Sequence, residues 1–157
     1  MRIQEFLDHC AASERWVRDF YTFLAERFRA DPRCSGLFGQ LAEEEEAHAC
    51  GFEFLKPIAA RSAPQIVVND RFLADFERMR RGLDKVRHRV ESQNGSSLPD
   101  VLGLAILVES TTMERDKLAF VSVEDRDFQR VLDGITACDE AHRKKLEEMR
   151  DSIAVLA

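Results

Sequence analysis

Apolar side chains recur at alternating steps of four and three residues through most of the chain, the spacing of helices that each bury one face. In the first stretch, roughly residues 2 to 29, Ile3, Leu7, Cys10, Val17, Tyr21, Leu24 and Phe28 keep this rhythm, and the one position it skips holds Glu14. A carboxylate in such a seam is costly unless something pairs with it. Asp31-Pro32 reads as an N-cap followed by proline at the first helical position, and the second seam is Leu37, Leu41, Glu45, His48, Phe52 and Leu55. Pro57 is expected to end or kink that helix. Glu43 to Glu46 span a full turn: Glu45 shares the seam with His48, while Glu43, Glu44 and Glu46 are expected toward solvent or the flanks.

Residues 57 to 98 read as a long crossover. It begins with the extended-looking Ile66-Val67-Val68 and carries an additional amphipathic helix over 70 to 92, with the seam Phe72, Phe76, Met79, Leu83, Val86 and Val90. That seam can cover the rest of the protein or meet a second copy. Arg78, Arg80, Arg81, Lys85, Arg87 and Arg89 line its other faces, a solvated basic surface in preference to an acidic-partner site. Asn94-Gly95-Ser96-Ser97 closes this helix, and Pro99 opens a third long one with the seam Leu102, Ile106, Glu109, Met113, Asp116 and Phe120. After a break at residues 123 to 125, Asp125 is positioned to cap a fourth, with Phe128, Leu132, Ile135, Asp139, His142, Leu146, Met149 and Ile153. The pattern predicts an all-α fold over residues 1–157, a single ferritin-like four-helix bundle with an extra helix in its crossover.

Two of these helices carry the same chemistry. Glu45-x-x-His48 and Asp139-x-x-His142 each place a carboxylate three residues before a histidine, and on a helix residues i and i+3 share a face. Carboxylate and imidazole together suit first-row metals. The halves repeat at a nearly constant offset: 94 residues from Glu45 to Asp139 and from His48 to His142, and 95 from Glu14 to Glu109. This selects Glu109 over Glu114, which would lie about 7.5 Å further along the axis. One acid from each of two helices and an acid-x-x-His pair from each of the other two is the recipe for a dinuclear centre in a helical bundle. In the alternative, the acids simply hydrogen-bond the histidines.

Composition narrows the function classes. The chain has 157 residues, enough for a sizeable core, with 45% hydrophobic and 33% charged residues. A net charge of −6 argues against a nucleic-acid surface. No apolar run approaches the roughly 20 residues of a membrane span, and the polar opening MRIQEFLDHC does not read as a signal peptide. Cys10, Cys34, Cys50 and Cys138 form no Cys-x-x-Cys pair, so neither a zinc ribbon nor a rubredoxin-type iron site is encoded. They read as small core fillers in preference to redox partners, and reduced thiols suggest the cytoplasm. His9 and His88 are expected at the surface.

On these residues the chain resembles the rubrerythrin-like branch of the ferritin-like di-iron carboxylate proteins. Glu14 with Tyr21 seven residues on, then Glu45-x-x-His48, is similar to the family's first half, and Glu109 with Asp139-x-x-His142 to its second. The resemblance implies two iron ions, or an iron–manganese or manganese pair. Glu45 and Asp139 would bridge them, Glu14 and Glu109 would each bind one, and His48 and His142 would cap opposite sides. Tyr21 would support a ligand carboxylate by a hydrogen bond. Three departures stand out. Asp139 replaces a glutamate and reaches one methylene less far; Thr112 lacks a further carboxylate; and Asp116 occupies the position that corresponds to Tyr21.

The resemblance implies an oxidoreductase, a peroxidase or ferroxidase, that reduces hydrogen peroxide or dioxygen. With no rubredoxin domain, its electrons would come from an external donor protein such as a rubredoxin. A homodimer is typical of what the chain resembles. A second hypothesis is an iron-binding or iron-handling protein with little turnover, favoured by Asp139 and Thr112. A third is a helical interaction module built on the helix at 72 to 90.

Overall fold

The computed structural model describes residues 1–62, 66–68, 71–92, 97–110 and 121–154. The fold class is all-α: α1 (Ile3–Arg27), α2 (Pro32–Ser62), α3 (Phe72–Ser92), α4 (Leu98–Glu109) and α5 (Arg126–Ala154). Two three-residue strands, β1 (Ile66–Val68) and β2 (Val121–Val123), pair antiparallel with Ile66 opposite Val123 and Val68 opposite Val121. This ribbon ties the connection after α2 to the segment before α5. The extended character of residues 66 to 68 is a β-branched run reading as strand, and its partner lies more than fifty residues further along the chain.

Local chemistry sets the helix starts. Asp31 Oδ1 accepts from the backbone N–H groups of Arg33 and Cys34, at 3.0 and 3.3 Å. Asp125 Oδ1 does the same for Asp127 and Phe128, both at 3.0 Å, and Ser97 Oγ accepts from the Asp100 amide at 3.4 Å. Each cap satisfies donors that the first turn leaves over.

Two expectations need correction, and a third lies partly outside the described residues. Pro57 does not end its helix, because α2 runs on to Ser62 and the crossover is correspondingly shorter. The proline removes one intrahelical hydrogen bond, while Leu55 and Ala59 on either side are fully buried and keep that stretch on the core. Gln4 also donates its side-chain amide to the Lys56 carbonyl at 3.1 Å, holding the same stretch to α1. The third long helix is described only as far as Glu109, with Ser110 in a turn. Thr112, Met113, Glu114, Asp116 and Phe120 lie outside the described residues. His9 is half-buried, not a surface residue: its ring lies 4.5 Å from Phe76 and 6.0 Å from Phe72.

The seam of α3 covers α1. Phe72 packs on Phe6 at 4.6 Å between ring centroids and Phe76 on Trp16 at 5.3 Å. Arg80 and Arg87 lie over the rings of Trp16 and Phe23, at 5.8 and 5.5 Å, adding cation–π attraction at the rim. On the opposite side α2 meets α5 closely at Gly51, where a Cβ would stand 3.2 Å from Ile135 Cδ1. This close approach lies one turn from both His48 and Asp139. The arrangement leaves α1, α2, α4 and α5 around a common interior into which each directs a buried carboxylate: Glu14, Glu45, Glu109 and Asp139.

Candidate metal centre

The interior polar residues are as deeply buried as the hydrophobic core around them. Glu14, Glu45 and His142 are 0% exposed, Glu109 2%, Asp139 3% and His48 6%. All six come together. His48 Nδ1 lies 3.2 Å from Glu45 Oε2, 3.3 Å from Asp139 Oδ1 and 3.6 Å from Glu14 Oε2. His142 Nδ1 lies 2.9 Å from Glu45 Oε1 and 3.8 Å from Glu109 Oε2. The two imidazoles stack with centroids 5.3 Å apart and planes 16° from parallel.

Among the described residues these contacts form two carboxylate–imidazole donor groups, Glu14, Glu45, His48 and Asp139 in one and Glu45, Glu109 and His142 in the other, beside a third set of His48, Cys138 and His142. In each group the ligand atoms lie within 4.8 Å of one another, and either can hold a metal ion. Glu45 belongs to both, turning one oxygen toward each histidine. Asp139 belongs only to the first of these two groups, in keeping with its shorter side chain.

The electrostatics follow from crowding acids and imidazoles in a dry space. For Glu45, burial is the largest influence and opposes ionisation, yet hydrogen bonds with His142, His48 and Glu14 together hold its pKa down at about 2. For His48, burial again acts first and disfavours the charge, but Glu14 and Glu45 override it and lift the imidazole to about 11. Without a cation, the interior compensates its acids by protonating histidine.

Outside the six, Tyr21 is fully buried, stacked on Phe38 at 6.2 Å, and its hydroxyl donates to Glu109 Oε1. Glu44 corrects the expectation that it faces solvent or a flank. Its Oε2 lies 2.8 Å from His142 Nε2, and Lys145 Nζ bridges both of its oxygens at 2.7 and 2.8 Å. Burial pushes against its charge, but Lys145 and Gln40 hold the carboxyl below its ordinary range. Nothing along α2 alone singles out Glu44 within its run of glutamates, because its partners His142 and Lys145 lie on α5. Glu46, by contrast, does sit at the flank, paired with Arg18.

Glu44 Oε2 stands against Nε2 of His142 while Nδ1 faces the carboxylates, so a negative charge backs the ring on the side away from the centre, where metal-binding imidazoles often find an outer carboxylate. Glu44→Ala should therefore weaken metal binding in the Glu109 group by about 10–100-fold and leave the Glu14 group unchanged. Glu44→Gln, which keeps the shape and a polar oxygen but not the charge, should retain part of the affinity. A competition titration against a chelator measures both.

The cysteines divide by position. Cys10 and Cys34 are buried core fillers, and burial, helped by Asp31, pushes the Cys34 thiol up to about 11. Cys50 is exposed, which corrects its reading as a core filler, and Cys138 is half-buried with Sγ 3.5 Å from His142 Nε2. Beside the centre, Glu109, Thr136, Asp139, Glu140 and Arg143 line a cavity of about 220 Å3. Thr136 Oγ1 and Arg143 Nε are buried there without a hydrogen-bond partner among the described residues.

No protein-family model, curated protein or solved structure matches this chain. No helix among the described residues is long and apolar enough to cross a membrane.

Proposed function

We propose that the chain is a rubrerythrin-like member of the ferritin-like di-iron carboxylate proteins, reducing hydrogen peroxide or dioxygen with electrons from an external donor protein in the cytoplasm. The observation that carries this reading is Glu45, a fully buried carboxylate whose two oxygens face two histidines on opposite sides, each with further acids beside it. The donor set fits a pair of divalent cations. Four carboxylates and two neutral imidazoles carry −4, which two such cations cancel, and oxygen–nitrogen ligation suits iron or manganese.

When bound, two ferrous ions would supply two electrons to an O–O bond. The chain's own residues do the rest. Glu45 would span the pair, with Glu14, His48 and Asp139 on one side and Glu109 and His142 on the other. Tyr21 orients Glu109 through its hydrogen bond, and the Glu44 carboxylate backs the His142 ring by charge. The cavity lined by Thr136 and Arg143 is smaller than the roughly 300–1,000 Å3 of ordinary ligand pockets, so it suits a small polar oxidant, and both side chains bring donor groups to it. Reduction of one hydrogen peroxide to two waters takes two electrons and two protons.

Anaerobic loading with ferrous iron followed by hydrogen peroxide tests the proposal. The expected result is one peroxide consumed per two irons oxidised, and sustained consumption when a chemical reductant is present. No peroxide consumption would end the enzymatic reading. The second reading, iron handling with little turnover, is favoured by the confinement of Asp139 to one side of the Glu45 carboxylate. It predicts a single round of iron oxidation and no sustained cycle.

A further inference from the structure

A cavity of about 520 Å3 forms a groove between α3 and α4 that the proposed centre does not use. Its floor is apolar, formed by Met79, Leu83 and Val86 on α3 and by Leu104, Leu107 and Val108 on α4. Leu107 is 59% exposed, a large apolar side chain open to water. The rim is cationic: Arg78, Lys85 and Arg89 follow one another at helical spacing along α3. Gly82 interrupts that row, and a Cβ there would meet nothing within 4 Å, so the groove stays open at its middle.

Two features set this groove apart from an ordinary solvated helix face. The charge is against the trend of the chain, which is −6 overall. On α3, Arg78, Arg80, Arg81, Lys85, Arg87 and Arg89 outnumber Asp75, Glu77, Asp84 and Glu91. Several of these cations are already committed: Arg78 to Asp75 at 2.6 Å, Arg80 to Glu77 at 3.2 Å and Arg87 to Glu91 at 2.9 Å. Lys85 and Arg89 have no ion-pair partner among the described residues, and both stand on the rim. The second feature is position. Val108 and Ser110, which line the groove, are the immediate chain neighbours of Glu109. The wall of the groove is therefore the backbone that carries one of the centre's carboxylates.

We propose that this groove is the docking site for an acidic protein that carries a one-electron cofactor, and that electrons enter the centre from it past Val108 and Glu109. Complementary charge steers such a partner and fixes its orientation, while the apolar floor supplies the desolvated contact. Each docked donor gives up one electron and is itself oxidised by one. Two dockings return two ferric ions to ferrous, and no covalent bond forms or breaks in the transfer. The proposal rests on the di-iron reading above for the destination of the electrons. The surface itself can be tested without iron.

The probe is a rubredoxin, used as a small acidic one-electron carrier. Binding of oxidised rubredoxin to the metal-free protein at low salt should shift the amide resonances of Val86, Leu107 and Ser110, and the shifts should fade as ionic strength rises. In Lys85→Glu/Arg89→Glu the same titration should show at least a tenfold weaker complex. With iron-loaded protein, peroxide-dependent oxidation of reduced rubredoxin should show KM raised tenfold or more in this variant and kcat nearly unchanged. Turnover with a small chemical reductant should be the same in variant and wild type. Unshifted groove resonances, an affinity and KM indifferent to the charge reversal, or a groove buried between two copies of the chain in solution would each overturn the proposal. Failure of iron loading or of peroxide consumption with the chemical reductant would instead defeat the di-iron reading and leave the resonance result to judge the surface.

Discussion

Glu45→Ala is expected to lose both metal ions at once, whereas Glu14→Ala and Glu109→Ala each lose one. The difference follows from membership: among the described residues Glu45 alone belongs to both carboxylate–imidazole groups, and Glu14 and Glu109 belong to one apiece. Glu45→Ala leaves His48 and His142 facing a gap where a carboxylate had paired with both, and breaking a buried ionic pair costs on the order of 3–5 kcal/mol. The variant can therefore be less stable for reasons unrelated to metal. Glu45→Gln separates the two effects, since it keeps the shape and one accepting oxygen but lacks the charge and the second oxygen. The expectation for it is a folded protein with at most weak, single-ion binding. Metal content per chain after anaerobic ferrous loading, measured alongside urea unfolding of metal-free protein, decides the matter. Two ions bound per chain in Glu45→Ala would show that the pair does not share this carboxylate.

The second large effect is on pH. The His48 imidazole is lifted from 6.5 to about 11 when no cation is present. A raised folded-state pKa means stability fully present below pH 6.5 and lost as pH climbs through about 11. Glu45 behaves oppositely: with its pKa held near 2 against an ordinary 4.5, its contribution is present above pH 4.5 and lost as pH falls toward 2. Metal-free protein should accordingly lose stability between pH 6.5 and 11, at up to about 1.4 kcal/mol per pH unit for one such proton. A metal ion takes the nitrogen that holds this proton, so loading at pH 7 should release about one proton from His48 per chain. Metal affinity should then rise with pH over the neutral range. Urea unfolding at a series of pH values, with and without metal, and calorimetric titration in buffers of different ionisation enthalpy measure the two consequences. Loading with no proton release would contradict a charged His48.

What was legible in the sequence, and what was not, divides along physical lines. The rhythm of four and three exposes any polar residue placed in a buried seam, which is why Glu14, Glu45, Glu109, Asp139 and both histidines stand out before any coordinates are seen. Asp31 and Asp125 could be assigned as caps because their hydrogen bonds close within three residues. Pro57 does not end its helix, because the burial of Leu55 and Ala59 outweighs the hydrogen bond the proline removes. Glu44 was missed for a different reason: in a run of four glutamates nothing local distinguishes the one that meets a histidine and a lysine on another helix.

The sequence by itself determined which faces of the helices are buried, where the helices begin, and which acids and imidazoles occupy one side of each, because all of these follow from spacing along a single element. Only the tertiary structure decided that α3 lies on α1, that β1 finds β2, and that Glu44 and Tyr21 hold His142 and Glu109. It also decided that a cationic groove opens beside Glu109. Those relations depend on the distance and angle between elements far apart in the chain, and helical periodicity contains no information about either.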